Sequence, residues 1–153
     1  YVVGALRRAR ERGATAAALV ANPDGPVAAT AELVIAPRTG PEVIAGSTRM
    51  KAGTAQKMVL NMISTAAMIR TGHTYGNLMV NVQATNSKLR ERARRIVTQA
   101  TGADTETAAR ALAESDGQVK TAIVTLLAGV PPSEARERLA RAGGVVRQAL
   151  KPS

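Results

Sequence analysis

The sequence predicts a mixed α/β chain followed by a small all-α part. Three observations predict it. Two short apolar runs, residues 14–21 (ATAAALVA) and 33–36 (LVIA), alternate with helical patterns. A loop of small and polar residues then opens a long apolar helical stretch. Beyond Gly102 the chain breaks into short amphipathic segments separated by Asp116-Gly117, Gly129-Val130-Pro131-Pro132 and Gly143-Gly144. Alternating strands and helices point to a parallel sheet with crossover connections.

Val2, Val3, Leu6 and Ala9 share one face of a helix over residues 1–12, with arginines on the other side. Gly13 stands where a helix stop belongs. Residues 14–21 read as a buried parallel strand. Asn22-Pro23-Asp24-Gly25-Pro26 is a turn, and residues 27–31 suit one short helix. Residues 33–36 read as a second buried strand that Pro37 ends. Two strands do not make a sheet that stands alone. The chain opens on Tyr1 within a helical pattern, so a longer N-terminal side is expected.

From Thr48 to about Thr71 the pattern is helical. Met58, Val59, Met62, Ile63, Ala66 and Ile69 recur at spacings of three and four, and the helix is apolar on several faces. Deep burial is expected, against another subunit. Its methionines read as core filler. Residues 72–85 form a connector in which Leu78, Val80 and Val82 alternate as in a short extended piece. His73 lies in it, as a solvated loop histidine or a ligand. Asn86 or Ser87 caps a basic amphipathic helix over residues 88–99. Asp104 or Thr105 starts the next helix, residues 118–128 form a further one, and Ser133 with Glu134 opens the third, residues 134–141. Residues 145–150 make a last turn.

The totals exclude several functions. Apolar residues make up 45% of the 153, enough for a core, but the two tyrosines are the only aromatics. No stacking platform for nucleobases exists. Without cysteine there is no thiol nucleophile and no thiolate zinc site, and His73 alone cannot make a multi-histidine metal site. No apolar run reaches the ~20 residues that span a bilayer. No leader-type segment is read in residues 1–13, and a cytoplasmic protein is expected. The net charge of +10 suits an anionic partner, either nucleic acid or a phosphorylated metabolite. Nucleic acid has no motif behind it, and the basic face of residues 88–99 serves equally as a solvated surface.

The chemistry concentrates between Gly40 and Lys51. Glu42, Ser47, Thr48, Arg49 and Lys51 put an acid, two hydroxyls and two cations just ahead of the long helix. A helix N-terminus with unpaired N–H groups favours an anion such as phosphate. The alternative is a plain N-cap by Ser47 or Thr48.

Gly40-Pro41-Glu42, Gly46-Ser47-Thr48-Arg49-Met50-Lys51, Gly53-Thr54-Ala55, Lys57 and Leu60-Asn61-Met62-Ile63-Ser64 together resemble the N-acetylmuramic acid 6-phosphate etherase family. So do Tyr75-Gly76-Asn77-Leu78-Met79-Val80, Thr85-Asn86-Ser87-Lys88-Leu89, Asp116 with Val119-Lys120-Thr121-Ala122-Ile123, and Ala135, Arg136 and Leu139. The glucokinase regulatory protein is similar in its GPE and GS stretches. The resemblance covers the whole chain but only the C-terminal half of the family's length. It implies the C-terminal portion of a flavodoxin-like sugar isomerase (SIS) domain over residues 1–71. A connector and basic helix would fill 72–100, and a small three-helix domain of ubiquitin-associated type 101–153.

The family implies cleavage of the lactyl ether of N-acetylmuramic acid 6-phosphate, giving N-acetylglucosamine 6-phosphate and D-lactate in peptidoglycan recycling. It implies no metal or other cofactor, and a homodimer that engages neither nucleic acid nor membrane. Its acid and base are two glutamates of the N-terminal half, so no catalytic residue is expected in this chain, which alone would be inactive. Substrate-binding candidates are Ser47, then Glu42, Thr48 and Lys51. Arg49, Lys57 and Asn61 read as helix-surface or interface groups. A rival reading is a non-catalytic sugar-phosphate sensor built on the same loop.

Overall fold

The computed structural model describes residues 1–151. It is mixed α/β and divides into two compact units, Tyr1–Ser64 and Thr65–Ser153.

In the first unit, α1 (Val2–Glu11) precedes β1 (Ala17–Leu19), α2 (Pro26–Thr30) and β2 (Leu33–Ile35). The helix α2 starts with Pro at its first position, where a missing N–H costs no helical bond. The two strands pair in parallel, Ala17 opposite Leu33, Ala18 opposite Val34 and Leu19 opposite Ile35. Backbone bonds from Glu32 N to Ala16 O (2.8 Å) and Val20 N to Ile35 O (3.0 Å) extend the ladder at both ends. Arg10 ties α1 to the far end of α2, donating to Thr30 O at 3.2 Å and pairing with Glu32 at 3.2 Å.

The strands lie where the apolar runs place them, but they are less buried than expected. Ala16 and Ala18 are buried, whereas Leu33 and Val34 of β2 are exposed. A two-stranded sheet has no further strand or layer to cover that side. The same holds for α3 (Lys51–Arg70), which starts one turn later than the pattern suggests. Only Ala52 of α3 is buried. Met58 at 55% exposure and Met62 at 59% are not core filler within this chain. A helix apolar on several faces needs neighbours on several faces.

In the second unit, β3 (Thr74–Tyr75) and β4 (Leu78–Met79) form an antiparallel hairpin, with Gly76 at a positive φ of 58° in its turn. Then follow α4 (Ser87–Thr101), α5 (Thr105–Glu114), α6 (Val119–Ala128), α7 (Pro132–Arg141) and α8 (Val146–Ala149). The central helix is α6. Its Val119, Ala122, Ile123 and Val124 are fully enclosed by Ala93, Ile96 and Val97 of α4, Ala108, Ala111 and Leu112 of α5, Ala135 and Leu139 of α7, and Val146 of α8. Val80, just past the hairpin, is buried in the same cluster. The core therefore uses more than three helices, because α4 turns its apolar stripe onto α5 and α6.

Local signals end and start these helices. Asn86 Oδ1 accepts from Leu89 N at 2.9 Å, and Asp104 Oδ1 from Thr107 N at 2.7 Å. Gly102 and Gly129 close α4 and α6 in the left-handed conformation. Asp116 takes a positive φ of 53° after α5 and is clipped to α7 by Arg136 at 2.6 Å.

Candidate functional site

The first unit contains a cleft of about 730 Å³ at the carboxyl ends of β1 and β2. Ala21 and Asn22 border it just beyond β1, and Ala36, Pro37 and Arg38 just beyond β2. The loop before α3 completes it with Glu42, Gly46 and Thr48. Parallel sheets place ligands outside the carboxyl ends of their strands, where the connecting loops diverge. The volume lies in the range of small-molecule sites.

Glu42 organises the loop. Its Oε1 and Oε2 accept from Lys51 N at 3.1 and 3.0 Å, and Oε1 accepts also from Ala52 N at 3.1 Å. These N–H groups open α3 and would otherwise lack partners. The N–H bonds from Lys51, then from Ala52, hold the Glu42 carboxyl below its ordinary pKa, as charge-assisted bonds to an acceptor do. Lys51 Nζ reaches back to Pro41 O at 2.8 Å. The ten residues from Glu42 to Lys51 are thus closed at both ends into one loop. Inside it, Ser47 N donates to Ile44 O at 3.0 Å and Arg49 N to Ser47 O at 2.9 Å.

Two expectations change here. The anion at the N-terminus of α3 is the protein's own Glu42 carboxylate, so the N–H groups of Lys51 and Ala52 are already taken. Neither Ser47 nor Thr48 caps α3, because the helix begins three residues beyond Thr48. A cap from nine residues upstream has no local signature.

Of the sequence-derived candidates, Glu42 and Thr48 border the cleft, while Ser47 and Lys51 belong to the same loop but do not line it. Thr48 is exposed and Ser47 half-buried. Sequence reasoning passed over Asn22, Arg38 and Thr39. Their signal was their place directly after the two strands. Asn22 turns inward on its own loop, Oδ1 accepting from Asp24 N at 3.0 Å. His73 lies in the second unit, its ring nitrogen Nδ1 2.9 Å from Thr71 Oγ1.

No helix of the described residues is long and apolar enough to cross a membrane. No protein-family model matches the chain. It is 56% identical over 150 residues to the N-acetylmuramic acid 6-phosphate etherase of Mycolicibacterium smegmatis, covering 98% of this chain and 50% of that protein. It is 58% identical over 150 residues to the etherase of Edwardsiella ictaluri, with shares of 98% and 50%. The etherase of Symbiobacterium thermophilum is 64% identical over 130 residues, with shares of 85% and 43%. The chain spans about half the length of the curated relatives it matches. Over this length its sequence matches N-acetylmuramic acid 6-phosphate etherases in their C-terminal half.

Proposed function

We propose that the chain supplies the C-terminal half of an N-acetylmuramic acid 6-phosphate etherase acting in the cytoplasm. The identity of 56% over 98% of the chain carries this reading. The cleft beyond β1 and β2, with its hydroxyl-bearing loop, supports it as part of a sugar-phosphate site.

In the reaction the sugar ring opens and the C1 aldehyde acidifies the proton on C2. A carboxylate removes that proton, and the lactate on C3 leaves as a protonated acid delivers a proton to its ether oxygen. Water then adds across the resulting C2–C3 double bond, giving N-acetylglucosamine 6-phosphate and D-lactate. The acid and base are assigned to glutamates outside this chain. Within it, the Thr48 hydroxyl on the border of the cleft binds the sugar, and Glu42 and Lys51 hold the loop that carries Ser47 and Thr48 in shape.

In this reading residues 1–71 complete an SIS sugar-phosphate domain. Residues 72–100 connect it to a helical module over 101–153. The exposed apolar residues of β2 and α3 are the surfaces that the rest of the domain and a second subunit cover.

The test is D-lactate release from N-acetylmuramic acid 6-phosphate. The 153-residue chain is assayed alone and spliced behind the N-terminal half of the Mycolicibacterium smegmatis etherase. Release by the spliced protein only is the expected result. Release by the chain alone would move the chemistry to Glu42 or His73. No release from either, with both folded, would overturn the reading in favour of a silent sugar-phosphate sensor.

A further inference from the structure

The cleft beyond β1 and β2 has two charged side chains on its border, Arg38 and Glu42. They are in opposite situations. Both oxygens of Glu42 are occupied by backbone N–H groups at the start of α3, and its charge is offset by the helix dipole. Arg38 has no ion pair and no side-chain hydrogen bond among the described residues, and it is exposed. Pro37 fixes the backbone directly before it, and the end of β2 sets where it leaves the sheet. An unpaired guanidinium on the border of a cleft this size offers five N–H donors in a planar fork. That geometry matches a carboxylate or a phosphate in two parallel bonds. Of the two nearby loop cations, Lys51 is held on Pro41 O, and neither it nor Arg49 lines the cleft.

We propose that Arg38 is the anion-holding residue of this cleft, binding a carboxylate or phosphate group of the ligand, with Thr39 and Thr48 offering hydroxyls beside it. This rests on the sugar-phosphate reading for the identity of the ligand, whose phosphate and lactyl carboxylate are the two possible anions. It does not depend on that reading for the charge preference of the cleft.

The experiment is a titration of the ¹⁵N-labelled 153-residue chain, separately with sodium phosphate, sodium D-lactate and neutral N-acetylglucosamine. The signals followed are the Arg38 side-chain Nε–Hε and the backbone amides of Thr39 and Gly40. Phosphate or D-lactate is expected to shift the Arg38 signal saturably, and the anion that does so identifies which end of the ligand it holds. Arg38→Ala should weaken that binding about tenfold or more, as loss of a charge-assisted contact does. Arg38→Lys should lose less, and Arg92→Ala on α4 nothing.

Backbone spectra of each variant establish that it is folded. The proposal fails if neither anion moves the Arg38 signal, or if Arg38→Ala binds as the parent does. In the spliced protein, Arg38→Ala is expected to raise KM. Lactate release with an unchanged KM would sink the role of Arg38 and leave the family reading intact. An inactive spliced protein would sink the reading while the titration still decides Arg38.

Discussion

Glu42 caps a helix that begins nine residues after it. Its two carboxylate oxygens take the Lys51 backbone N–H at 3.1 and 3.0 Å, while the Lys51 ammonium returns to Pro41 O at 2.8 Å. One acid thereby closes the loop that carries Ser47 and Thr48 and neutralises the helix end that a ligand could have used.

The carboxyl of Glu42 has a lowered pKa in the folded chain, mainly from the Lys51 N–H and then the Ala52 N–H. A depressed acid contributes stability that is fully present above its unfolded pKa and is lost as pH falls through its folded value. Protection of the Lys51 and Ala52 amides, taken against their intrinsic exchange at each pH, is therefore expected to fall on acidification below the ordinary glutamate range. Glu42→Ala should show the lowered protection already at neutral pH, and Glu42→Gln an intermediate value. Hydrogen-exchange NMR from pH 3 to 7 measures this, and equal protection in Glu42→Ala would refute the cap.

Gly72 is buried with φ at +74°, and a Cβ there would sit 2.9 Å from both Gly144 O and Val145 Cγ2. Gly72→Ala is expected to destabilise the second unit by more than the about 1–3 kcal/mol of left-handed strain alone. Gly76→Ala, with open space around its Cβ, should show the strain only. Urea unfolding followed by far-UV circular dichroism compares the two.

Ile123 is completely buried at the centre of α6. Ile123→Ala should cost about 2–5 kcal/mol and Ile123→Val about 0.5–1.5 kcal/mol, since each removes packed methyl groups without replacing them. The same unfolding assay reads both, and a cost under 1 kcal/mol for Ile123→Ala would mean that α6 is not the core helix.

Asn86→Ala removes the side-chain acceptor of Leu89 N and should cost about 1 kcal/mol. Asn86→Asp should retain the cap. Loss of exchange protection at Leu89 in the alanine variant locates the effect.

Lys120 Nζ donates to Gly144 O at 3.0 Å, and burial lowers its pKa below the ordinary lysine value. The unfolded chain then binds the extra proton more readily, so this group's contribution to stability rises with pH between its folded and unfolded values. A ¹³C titration of the Lys120 Cε should show a midpoint below that of a free lysine. Lys120→Met, which keeps the stem and drops the charge, should remove that pH dependence.

Local chemistry was readable in advance. Asn86 and Asp104, each one of two candidates in the sequence, are caps because a short polar side chain three residues ahead of a free N–H can reach it, and Gly129 stops a helix because it tolerates a left-handed backbone. The order of strands and helices followed from runs and periods in the same way. The deep burial of α3 that its pattern suggests did not appear, because apolar faces reveal only a need for neighbours and not which chain provides them.

The sequence by itself determined the mixed α/β class, the local caps and stops, and the resemblance carried by the stretch from Gly40 to Lys51. Only the tertiary structure decided that Glu42 turns to Lys51 and Ala52, that Thr48 but not Ser47 borders the cleft, and that Arg38 stands there without a partner among the described residues. The reason is distance along the chain. A contact between residues nine positions apart along a loop, or between the ends of two strands, depends on how the backbone closes in space, and no spacing of residue types encodes that closure by itself.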